Sequence, residues 1–424
     1  MAQARSTTLE QVRVRRKSLE EYRRVVGDAP IEEARSLARS LKGLRVLHLN
    51  STAAGGGVAE LLNSLVPLEA DCGLDVQWRL LCPDAELFKV TKGFHNALQG
   101  QAWPLTADGK NTYLARNRHC AAMLSPTEYD VLIIHDPQPA AIPHFSGPNH
   151  AKWVWRCHID SSQPNPEVWD FLRPYVNGYD AAVFTMREFV PPDLQGPALH
   201  FIPPAIDPLS PKNRALPKYL CREEVAEFGV DLARPLMIQV SRFDPWKDPL
   251  GVIQAYRLAK QELPQLQLAL IGAMAEDDPE GWEIYNSIQE VADMDADIYV
   301  FTNLTGVTAH EVNAFQRVAD VVVQKSVREG FGLVVSEAVW KGTPIVAGNT
   351  GGIPLQIQNG VGGFLVDSVQ ECAERVIFLL THSDEAQEIA RRGWERVRER
   401  FLMPRLLLDQ LQLLHTLANS TEGK

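Results

Sequence analysis

The chain has 424 residues, of which 45% are hydrophobic and 22% are charged, and its formal net charge is −11. This length predicts two domains, and the acidic balance argues against a general nucleic-acid-binding protein. No segment approaches the roughly 20 apolar residues of a membrane span, and residues 1–6 lack the apolar core of a signal peptide. The six cysteines are scattered without a Cys-x-x-Cys pair, so we expect a cytoplasmic protein with reduced thiols and no zinc site.

The N-terminal region has a helical hydrophobic period. Residues 9–26 predict a helix with a basic face, and Pro30 opens a second predicted helix over residues 31–41 with Asp28 as its cap. A basic amphipathic helix can bind a membrane surface. We favour the alternative, a strap packed across the first domain with its arginine and lysine side chains in solvent.

The first strand and helix are joined by a glycine-rich turn. Residues 44–50 predict a short apolar strand, and Gly55–Gly57 lead from it into a helix over residues 58–70. Three consecutive glycines let a ligand approach the backbone closely. The run is neither Gly-x-Gly-x-x-Gly nor a P-loop, so a flexible turn is the competing interpretation.

Strands and helices alternate through the rest of the first half. Further strands are predicted at residues 75–81, 131–135, 153–159, 181–186 and 200–202, with helices near 90–99, 112–124 and 166–178. This alternation of apolar runs predicts a parallel sheet covered on both faces, with ligands beyond the carboxyl ends of the strands. Four polar clusters should lie along that edge, at residues 55–57, 135–138, 156–160 and 185–187.

A proline-rich stretch precedes a second alternating series. Its predicted strands are residues 236–241, 267–271, 298–302, 321–324, 344–347 and 363–366, with helices near 249–262, 281–293, 309–318, 332–341, 369–381, 385–400 and 405–417. We therefore expect an α/β protein with two Rossmann-like parallel-sheet domains facing each other across a cleft. The predicted boundaries are residues 1–207 for the first domain, 208–217 for a linker, 218–400 for the second domain and 401–424 for a helix packing back on the first domain.

The second half contains a candidate anion site. Arg242 and Lys247 follow its first strand, and two cations on one loop suit a diphosphate, although solvated loop charge is the ordinary alternative. Further on, a strand leads through Glu329-Gly-Phe-Gly into a helix that carries Glu337. A glycine turn at a helix start presents backbone N–H groups to an anion. The two glutamates are then placed to reach polar groups on either side of it, as in a nucleotide sugar.

In the first half, His158 ends a predicted strand near Asp136, Arg156 and Asp160. A lone histidine is more often a satisfied structural residue. This density of polar groups at one strand end favours a hydrogen bond to a sugar hydroxyl.

Three other chemistries are weaker. The carboxylates of residues 293–297 precede a strand and so lie at the opposite edge, which favours a solvated turn over a metal site. Ser51 and Ser241 lack a Gly-x-Ser-x-Gly elbow. Glu329 and Glu337 come from one segment, whereas glycosidase carboxylates flank the scissile bond, so a glycosidase is disfavoured.

The motifs resemble those of a known family. The segment from Glu329 to Glu337 resembles the E-x7-E segment of the retaining, glycogen-synthase-like glycosyltransferases (family four), which have the GT-B fold. The turn at 55–57, the pair Arg242 and Lys247, and residues 348–354 match the same class in chain order. A narrower resemblance is to the trehalose glycosyltransferring synthases and the retaining trehalose phosphorylases. It is carried by residues 135–138, 155–160 with 164–165, 184–185 and 242–248.

The resemblance implies transfer of glucose from a nucleoside-diphosphate glucose (UDP- or ADP-glucose) to glucose, giving α,α-trehalose with retention. It implies three sets of site residues. The catalytic set is Arg242, Lys247, Glu329 and His158; the donor-binding set is Gly56, Gly57, Asn303, Phe331, Gly332, Leu333 and Glu337; the acceptor-binding set is Asp136, Gln138, Arg156 and Asp160.

The expected partners are the nucleotide-sugar donor and a small sugar acceptor, with no nucleic acid and no membrane; a homodimer stays open. We expect no cofactor and no metal, because two cations and a helix N-terminus can neutralise the departing diphosphate. A trehalose phosphorylase, another small-acceptor transferase of the family and a nucleotide-binding scaffold without catalysis are the alternatives.

Overall fold

A computed structural model describes residues 8–82, 85–274 and 279–420. The chain divides into two compact units, Met1–Pro204 with Met403–Lys424, and Ala205–Leu402. Each unit has its own parallel sheet covered by helices, which confirms the predicted α/β class with two parallel-sheet domains. The prediction about a signal peptide at residues 1–6 falls outside the described residues.

The first unit is built on a six-stranded sheet in the order β2-β1-β3-β4-β5-β6. Its strands are β1 (Arg45–Asn50), β2 (Asp75–Leu80), β3 (Val131–His135), β4 (Lys152–Arg156), β5 (Ala181–Phe184) and β6 (Ala198–Phe201). Its helices before residue 205 are α1 (Arg23–Val26), α2 (Asp28–Arg39), α3 (Gly57–Asp71), α4 (Ala85–Leu98), α5 (Ala107–Ala122), α6 (Ile142–Phe145) and α7 (Pro166–Val176).

The second unit is built on a seven-stranded sheet in the order β12-β13-β11-β10-β7-β8-β9. Its strands are β7 (Leu236–Val240), β8 (Gln267–Gly272), β9 (Ile298–Thr302), β10 (Val321–Gln324), β11 (Ile345–Gly348), β12 (Gln358–Asn359) and β13 (Gly362–Val366). Its helices are α8 (Lys218–Ala226), α9 (Pro249–Glu262), α10 (Pro279–Ala292), α11 (Ala309–Val318), α12 (Leu333–Trp340), α13 (Ile353–Gln356), α14 (Val369–Thr381) and α15 (Ser383–Arg400). The last helix, α16 (Met403–Asn419), belongs to the first unit.

The central strands are short apolar runs because both faces of each sheet are covered. Every residue of β3 and β7 is buried, and the ladders between neighbouring strands are parallel throughout. Uniform hydrophobicity, without alternation, is what a strand covered on both faces requires. The carboxyl ends of neighbouring strands therefore meet at one edge of each sheet, and this edge positions the candidate site residues.

The predicted helix over residues 9–26 is wrong for its first half. Gln11 instead forms an antiparallel bridge with Arg79 at the sheet edge, and the Val12 N–H donates to the Trp78 carbonyl at 2.8 Å. The alternation of valine with polar residues at 11–15 fits this extended segment, which pairs an edge strand that would otherwise expose its backbone. Helical structure begins with the 3₁₀ turn Leu19–Tyr22, and Gly27, not Asp28, occupies the cap position of α2.

The predicted linker at 208–217 is part of the second unit. The Asn313 side chain donates to the carbonyls of Pro211 at 3.0 Å and Arg214 at 2.9 Å, which ties the stretch to α11. Helix α16 packs against α2 and α3 of the first unit. Its Arg405 donates to the Pro203 and Pro204 carbonyls at 2.8 and 2.9 Å.

Within the described residues, the structure contains no helix with both the length and the apolar character needed to cross a membrane.

Candidate active site

Strand order in the second unit brings two distant loops together. Since β10 lies beside β7, the segment after β10 meets the loop after β7 at the carboxyl edge. Lys247 Nζ lies 2.5 Å from Glu329 Oε2, and both side chains are mostly buried, with exposed fractions of 17% and 11%. Ser326 Oγ lies 3.4 Å from the same carboxylate oxygen. The lysine and the first glutamate of the predicted site therefore form one ion pair.

Arg242 differs from Lys247 in being accessible. Its side chain is 56% exposed, and its guanidinium reaches Asp244 at 3.3 Å. An exposed pair of this kind adds little stability. The guanidinium is thus available for a ligand anion beside the Lys247–Glu329 pair.

The start of α12 offers backbone donors. Gly332 is its N-cap in the left-handed region (φ 78°), with no side-chain cap. Among the described residues, no acceptor is found for the N–H groups of Gly332, Leu333 and Val334. The positive end of the helix dipole and these donors together suit an anion. Phe331 is buried and packs against Phe401, so its backbone and not its ring borders this turn.

A buried amide holds the turn in place. Gln356 donates from Nε2 to the Phe331 carbonyl and accepts from the Ser336 N–H at 3.0 Å. It lies on α13, just after the glycine-rich residues 348–352. Two ends of one side chain therefore fix both sides of the helix start.

Glu337, predicted to contact a ribose, is fully buried in this structure. Its nearest cation is Lys212, whose Nζ lies 2.9 Å from Oε1, an ion pair without hydrogen-bond geometry. Neither carboxyl oxygen accepts a hydrogen bond from the described residues. A buried carboxyl group without hydrogen bonds is costly and would be stabilised by new donors. Contact with a ligand hydroxyl requires the Lys212 side chain, 22% exposed, to move aside.

Asn303, predicted to bind the donor, uses both ends of its side chain within the protein. Its Oδ1 accepts from the Met274 N–H at 2.7 Å, and its Nδ2 donates to the Met274 carbonyl at 3.1 Å. The side chain therefore joins the loops after β8 and β9. A contact of this loop with the donor, expected largely through backbone groups, stays a prediction.

In the first unit, the glycine turn is open. Gly56 is the N-cap of α3 and offers no side-chain cap, and both Gly56 and Gly57 are exposed. A methyl group added at Gly56 would meet no atom within 4 Å. The turn thus leaves free space above the start of a 15-residue helix.

The histidine cluster forms because β1, β3 and β4 are neighbours. His48 Nδ1 lies 3.0 Å from His135 Nε2, and His135 Nδ1 lies 2.9 Å from His158 Nε2. At the inner end, His48 Nε2 lies 2.9 Å from Glu69 Oε2. His158, at the outer end, is the only partly exposed member. It also donates its backbone N–H to Asp136 Oδ1 at 2.8 Å.

The predicted acceptor-binding residues are not equally accessible. Asp160 and Gln138 are partly exposed, and Asp160 accepts from the Ser162 N–H at 3.0 Å. Arg156 is only 2% exposed and donates to Gln410 on α16 and to the Ile202 carbonyl, at 3.3 and 3.4 Å. We correct its predicted acceptor contact to a structural one, because its guanidinium joins the sheet to the last helix.

Asp136 is a buried carboxyl group in a strained backbone conformation. Its φ of 64° is unusual for a residue other than glycine, and its side chain is 8% exposed. Burial raises its pKa to about 7, against the opposing effects of the His158 N–H and Arg156. The folded protein therefore holds a proton that the unfolded chain releases near pH 4.

We expect Asp136→Asn to become more stable relative to the wild type as pH rises from about 4 to 7. Because the pKa of Asp136 is higher in the folded than in the unfolded protein, its protonation stabilises the folded wild type fully below about pH 4. This contribution to the free energy of unfolding falls as pH rises from about 4 to 7. The difference should change by at most about 1.4 kcal/mol per pH unit. Asparagine keeps the acceptor for His158 and tolerates this φ. Urea denaturation of both proteins from pH 4 to 8 measures it; parallel stability curves contradict the raised pKa.

The acidic turn at residues 293–297 is accounted for by protein cations. Asp295 and Asp297 both pair with Lys260, and Asp297 also pairs with Arg234 at 2.7 Å. These contacts lower the pKa values of both aspartates below their usual range. The hydrogen bond from Arg234 is the largest cause for Asp297, whose pKa falls to about 2. The cluster is therefore an ion-pair network.

Sequence reasoning missed several partners in these sites. Lys325, which pairs with Asp248, directly follows the predicted strand 321–324, and its position at the carboxyl edge was a usable signal. His48 and Glu69 gave a weaker one, as single polar residues within an apolar strand and an apolar helix. Lys212 gave none, because it lies in the stretch interpreted as a linker.

Comparisons with known proteins identify the family of the chain. The family model "Trehalose synthase, N-terminal domain" matches residues 48–191, and "Glycosyl transferases group 1" matches residues 222–396. The chain is 52% identical to a trehalose synthase of Rubrobacter xylanophilus, over 96% of this chain and 98% of that one. It is 47% identical to a trehalose synthase of Thermococcus litoralis, over 94% and 97%. A trehalose phosphorylase of Pleurotus pulmonarius is 32% identical over 82% of this chain but 54% of the longer phosphorylase.

Solved structures share the fold. An α,α-trehalose 6-phosphate synthase from Burkholderia multivorans has a TM-score of 0.72 at 16% identity, over 90% of this chain and 99% of that one. A sucrose-phosphate synthase from Thermosynechococcus elongatus has a TM-score of 0.70 at 17% identity, over 89% and 100%. Both identities are low enough that the likeness concerns the fold alone. By its matches over nearly its whole length, the chain belongs to the trehalose synthase family of glycosyltransferases and has the GT-B fold.

Proposed function

We propose that the protein transfers glucose from a nucleoside-diphosphate glucose, UDP- or ADP-glucose, to glucose, with retention at the anomeric carbon, and so forms α,α-trehalose. The observation that carries this proposal is the cluster at the carboxyl edge of the second sheet. An accessible Arg242, the Lys247–Glu329 pair and the unbonded N–H groups at the start of α12 lie on neighbouring loops there.

The diphosphate binds this cluster. A lysine ammonium has three N–H donors, so Lys247 keeps Glu329 and still reaches a phosphate oxygen. Arg242 leaves its 3.3 Å pair with Asp244 at little cost and meets the phosphate with its planar fork. The helix start adds neutral donors from Gly332 to Val334. These groups stabilise the negative charge that grows on the leaving diphosphate in the transition state.

The two glutamates bind hydroxyl groups on either side of the diphosphate. Glu329 is held in place by Lys247 and Ser326 and accepts from a hydroxyl of the donor glucose. Glu337 accepts from the ribose once Lys212 moves aside, and the ribose hydroxyls then supply the donors that its two oxygens lack. Neither glutamate acts as a nucleophile in this scheme.

In the first unit, we propose that His158 and Asp160 bind sugar hydroxyls and that the open turn at Gly56 and Gly57 admits a ligand. The acceptor hydroxyl attacks from the face that the leaving diphosphate departs from, and a leaving phosphate oxygen takes its proton. The new glucosyl–oxygen bond forms as the bond to phosphate breaks, so the configuration is retained. We propose that protein cations alone neutralise the diphosphate, which predicts full activity in excess EDTA.

We also propose a cytoplasmic protein. All six cysteines are free thiols. Burial raises the pKa of Cys157 and of Cys372 to about 12, so these thiols are unreactive. Free buried thiols support a reducing compartment.

The test is a set of parallel incubations of the purified protein. One set contains glucose with UDP-glucose or ADP-glucose, and another contains trehalose with inorganic phosphate. We expect trehalose only from a nucleotide sugar, with an α,α linkage by NMR. Glucose 1-phosphate from trehalose and phosphate would identify a phosphorylase instead. Nucleotide binding without formation of any product would indicate a nucleotide-binding scaffold without catalysis.

A further inference from the structure

A buried carboxyl group and three imidazole rings form one continuous row in the first unit. The four members are Glu69, His48, His135 and His158, and the three contacts between them measure 2.9, 3.0 and 2.9 Å. Adjacent rings meet edge to edge through these nitrogens and are tilted by only 29° and 12°, with centroids 5.3 and 5.2 Å apart. Glu69 is 0% exposed and His48 and His135 are each 1% exposed.

The row ends on an imidazole nitrogen for which the described residues provide no hydrogen-bond partner. Both nitrogens of His48 and of His135 are used within the row, whereas His158 uses Nε2 only. Within the described part of the chain, His158 Nδ1 has no hydrogen-bond partner. This nitrogen belongs to the one partly exposed residue of the row, so it is the atom that can meet a ligand.

Proton counting links the two ends. Each nitrogen–nitrogen contact needs one proton, and each neutral ring supplies one. If Glu69 is ionised and all three rings are neutral, His48 must donate from Nε2. His135 must then donate to His48, His158 must donate to His135, and Nδ1 of His158 is left as a lone pair. If Glu69 is neutral and protonated, or absent, the whole row can reverse and His158 Nδ1 carries a hydrogen.

The surroundings favour the first arrangement. The pKa values of His135 and His158 both lie well below the usual histidine value, chiefly because of burial, so both rings are neutral near pH 7. The buried Arg156 donates only to an amide and a carbonyl oxygen. Glu69, Asp409 and Asp136 are carboxyl groups that act on this guanidinium. A buried guanidinium without a carboxylate hydrogen bond favours a carboxylate charge nearby.

We infer that Glu69 is a positioning residue that sets the tautomers of His48, His135 and His158, so that His158 presents Nδ1 as a hydrogen-bond acceptor. The carboxylate acts through three rings and does not itself touch a ligand. The inference deepens the proposed function, on which its consequence for sugar binding rests. As an acceptor, His158 Nδ1 receives a hydrogen bond from a sugar hydroxyl. It rejects a fluorine or an ether oxygen in the same place, since neither can donate.

Nitrogen NMR tests the inference without a substrate. Spectra of ¹⁵N-histidine-labelled full-length protein distinguish protonated from unprotonated ring nitrogens, and single histidine substitutions assign the signals. In the wild type at pH 7.5 we expect hydrogen on Nε2 of all three rings and none on His158 Nδ1. A wild-type His158 with hydrogen on Nδ1 overturns the inference, whatever the behaviour of any variant.

Two variants of Glu69 separate its charge from its shape. Glu69→Leu removes the carboxylate that accepts from His48 Nε2. The buried N–H of His48 would then have no partner, which the protein avoids if all three hydrogens in the row reverse direction. We expect hydrogen to move to Nδ1 in all three rings. Glu69→Gln, which both donates and accepts, should give mixed tautomers and serves if the leucine variant does not fold. Asp71→Asn on the same helix, where Asp71 pairs with Arg35, is the matched control and should leave the rings unchanged. Unchanged tautomers in both Glu69 variants also overturn the inference.

Kinetics then connect the row to catalysis. Glu69→Leu should lower kcat/KM by about tenfold or more, because an N–H then faces the sugar hydroxyl. The kinetics use sugars in which one hydroxyl at a time is replaced by hydrogen or by fluorine. At one ring position, both replacements should lower the kcat/KM of the wild type equally. In Glu69→Leu, only the fluoro sugar at that position should regain kcat/KM relative to the unmodified sugar. Equal recovery of both sugars, or of neither, contradicts the acceptor role. Predicted tautomers in a protein inactive on every sugar would instead refute the proposed function and keep the inference.

Discussion

Lys247→Ala should lower kcat by about 10²-fold or more, with a smaller change in the KM for the nucleotide sugar. The ammonium is expected to interact most strongly with the leaving diphosphate as its charge develops, so its loss raises the barrier more than it weakens ground-state binding. Steady-state assays with glucose and the preferred nucleotide sugar measure the effect. Wild-type turnover in the variant would defeat the leaving-group role.

The Lys247–Glu329 pair complicates this variant, and two companions resolve the difficulty. Removing the lysine leaves a nearly buried carboxylate unpaired, which destabilises the loop by itself. Arg242→Ala removes the other cation, whose weak contact with Asp244 adds little stability, and should show a similar loss of kcat without a change in Tm. Lys260→Met breaks a paired lysine at the opposite edge of the sheet and should leave kcat unchanged.

Most strands of both sheets were predictable because they are short apolar runs bounded by polar residues, whereas the polar two-residue strand β12 (Gln358–Asn359) was not predicted. The strands at 131–135, 298–302 and 321–324 have the predicted bounds. The extended conformation of residues 9–17 was not predicted. Their apolar positions fit a helix as well as the alternation at 11–15, and pairing with the edge of β2 selects the extended form. Tertiary context overrides local pattern at such an edge.

Site residues on one loop were easier to predict than those that meet across loops. Arg242 and Lys247 follow directly from the end of β7, but the Lys247–Glu329 pair depends on β10 lying beside β7, and no local signal gives strand order. The accessibility of Arg156 was predicted wrongly for a related reason. Arg156 does lie at a strand end, but α16 covers that end and buries the side chain.

Gly351→Ala should unfold or displace the turn that carries Glu329. Gly351 has a φ of 54°, and a methyl group there would lie 1.6 Å from the Glu329 carbonyl oxygen. No rotamer relieves this clash, because both partners are backbone atoms. We expect a stability loss of about 3 kcal/mol or more. We also expect a kcat/KM loss of about 10²-fold, since shifts near 1 Å in a positioned group have this effect. Thermal denaturation and kinetics well below Tm measure the two.

Gly360→Ala separates backbone strain from the clash. Gly360 also has a positive φ, 81°, but a methyl group there would meet no atom within 4 Å. It should therefore cost only the left-handed strain of about 1–2 kcal/mol and leave kcat/KM unchanged. If both variants lose activity equally, global stability and not the position of Glu329 governs the effect. If Gly351→Ala alone loses it, the packing of residues 348–352 on the 326–331 segment holds the donor-side glutamate where the Lys247 pair requires it.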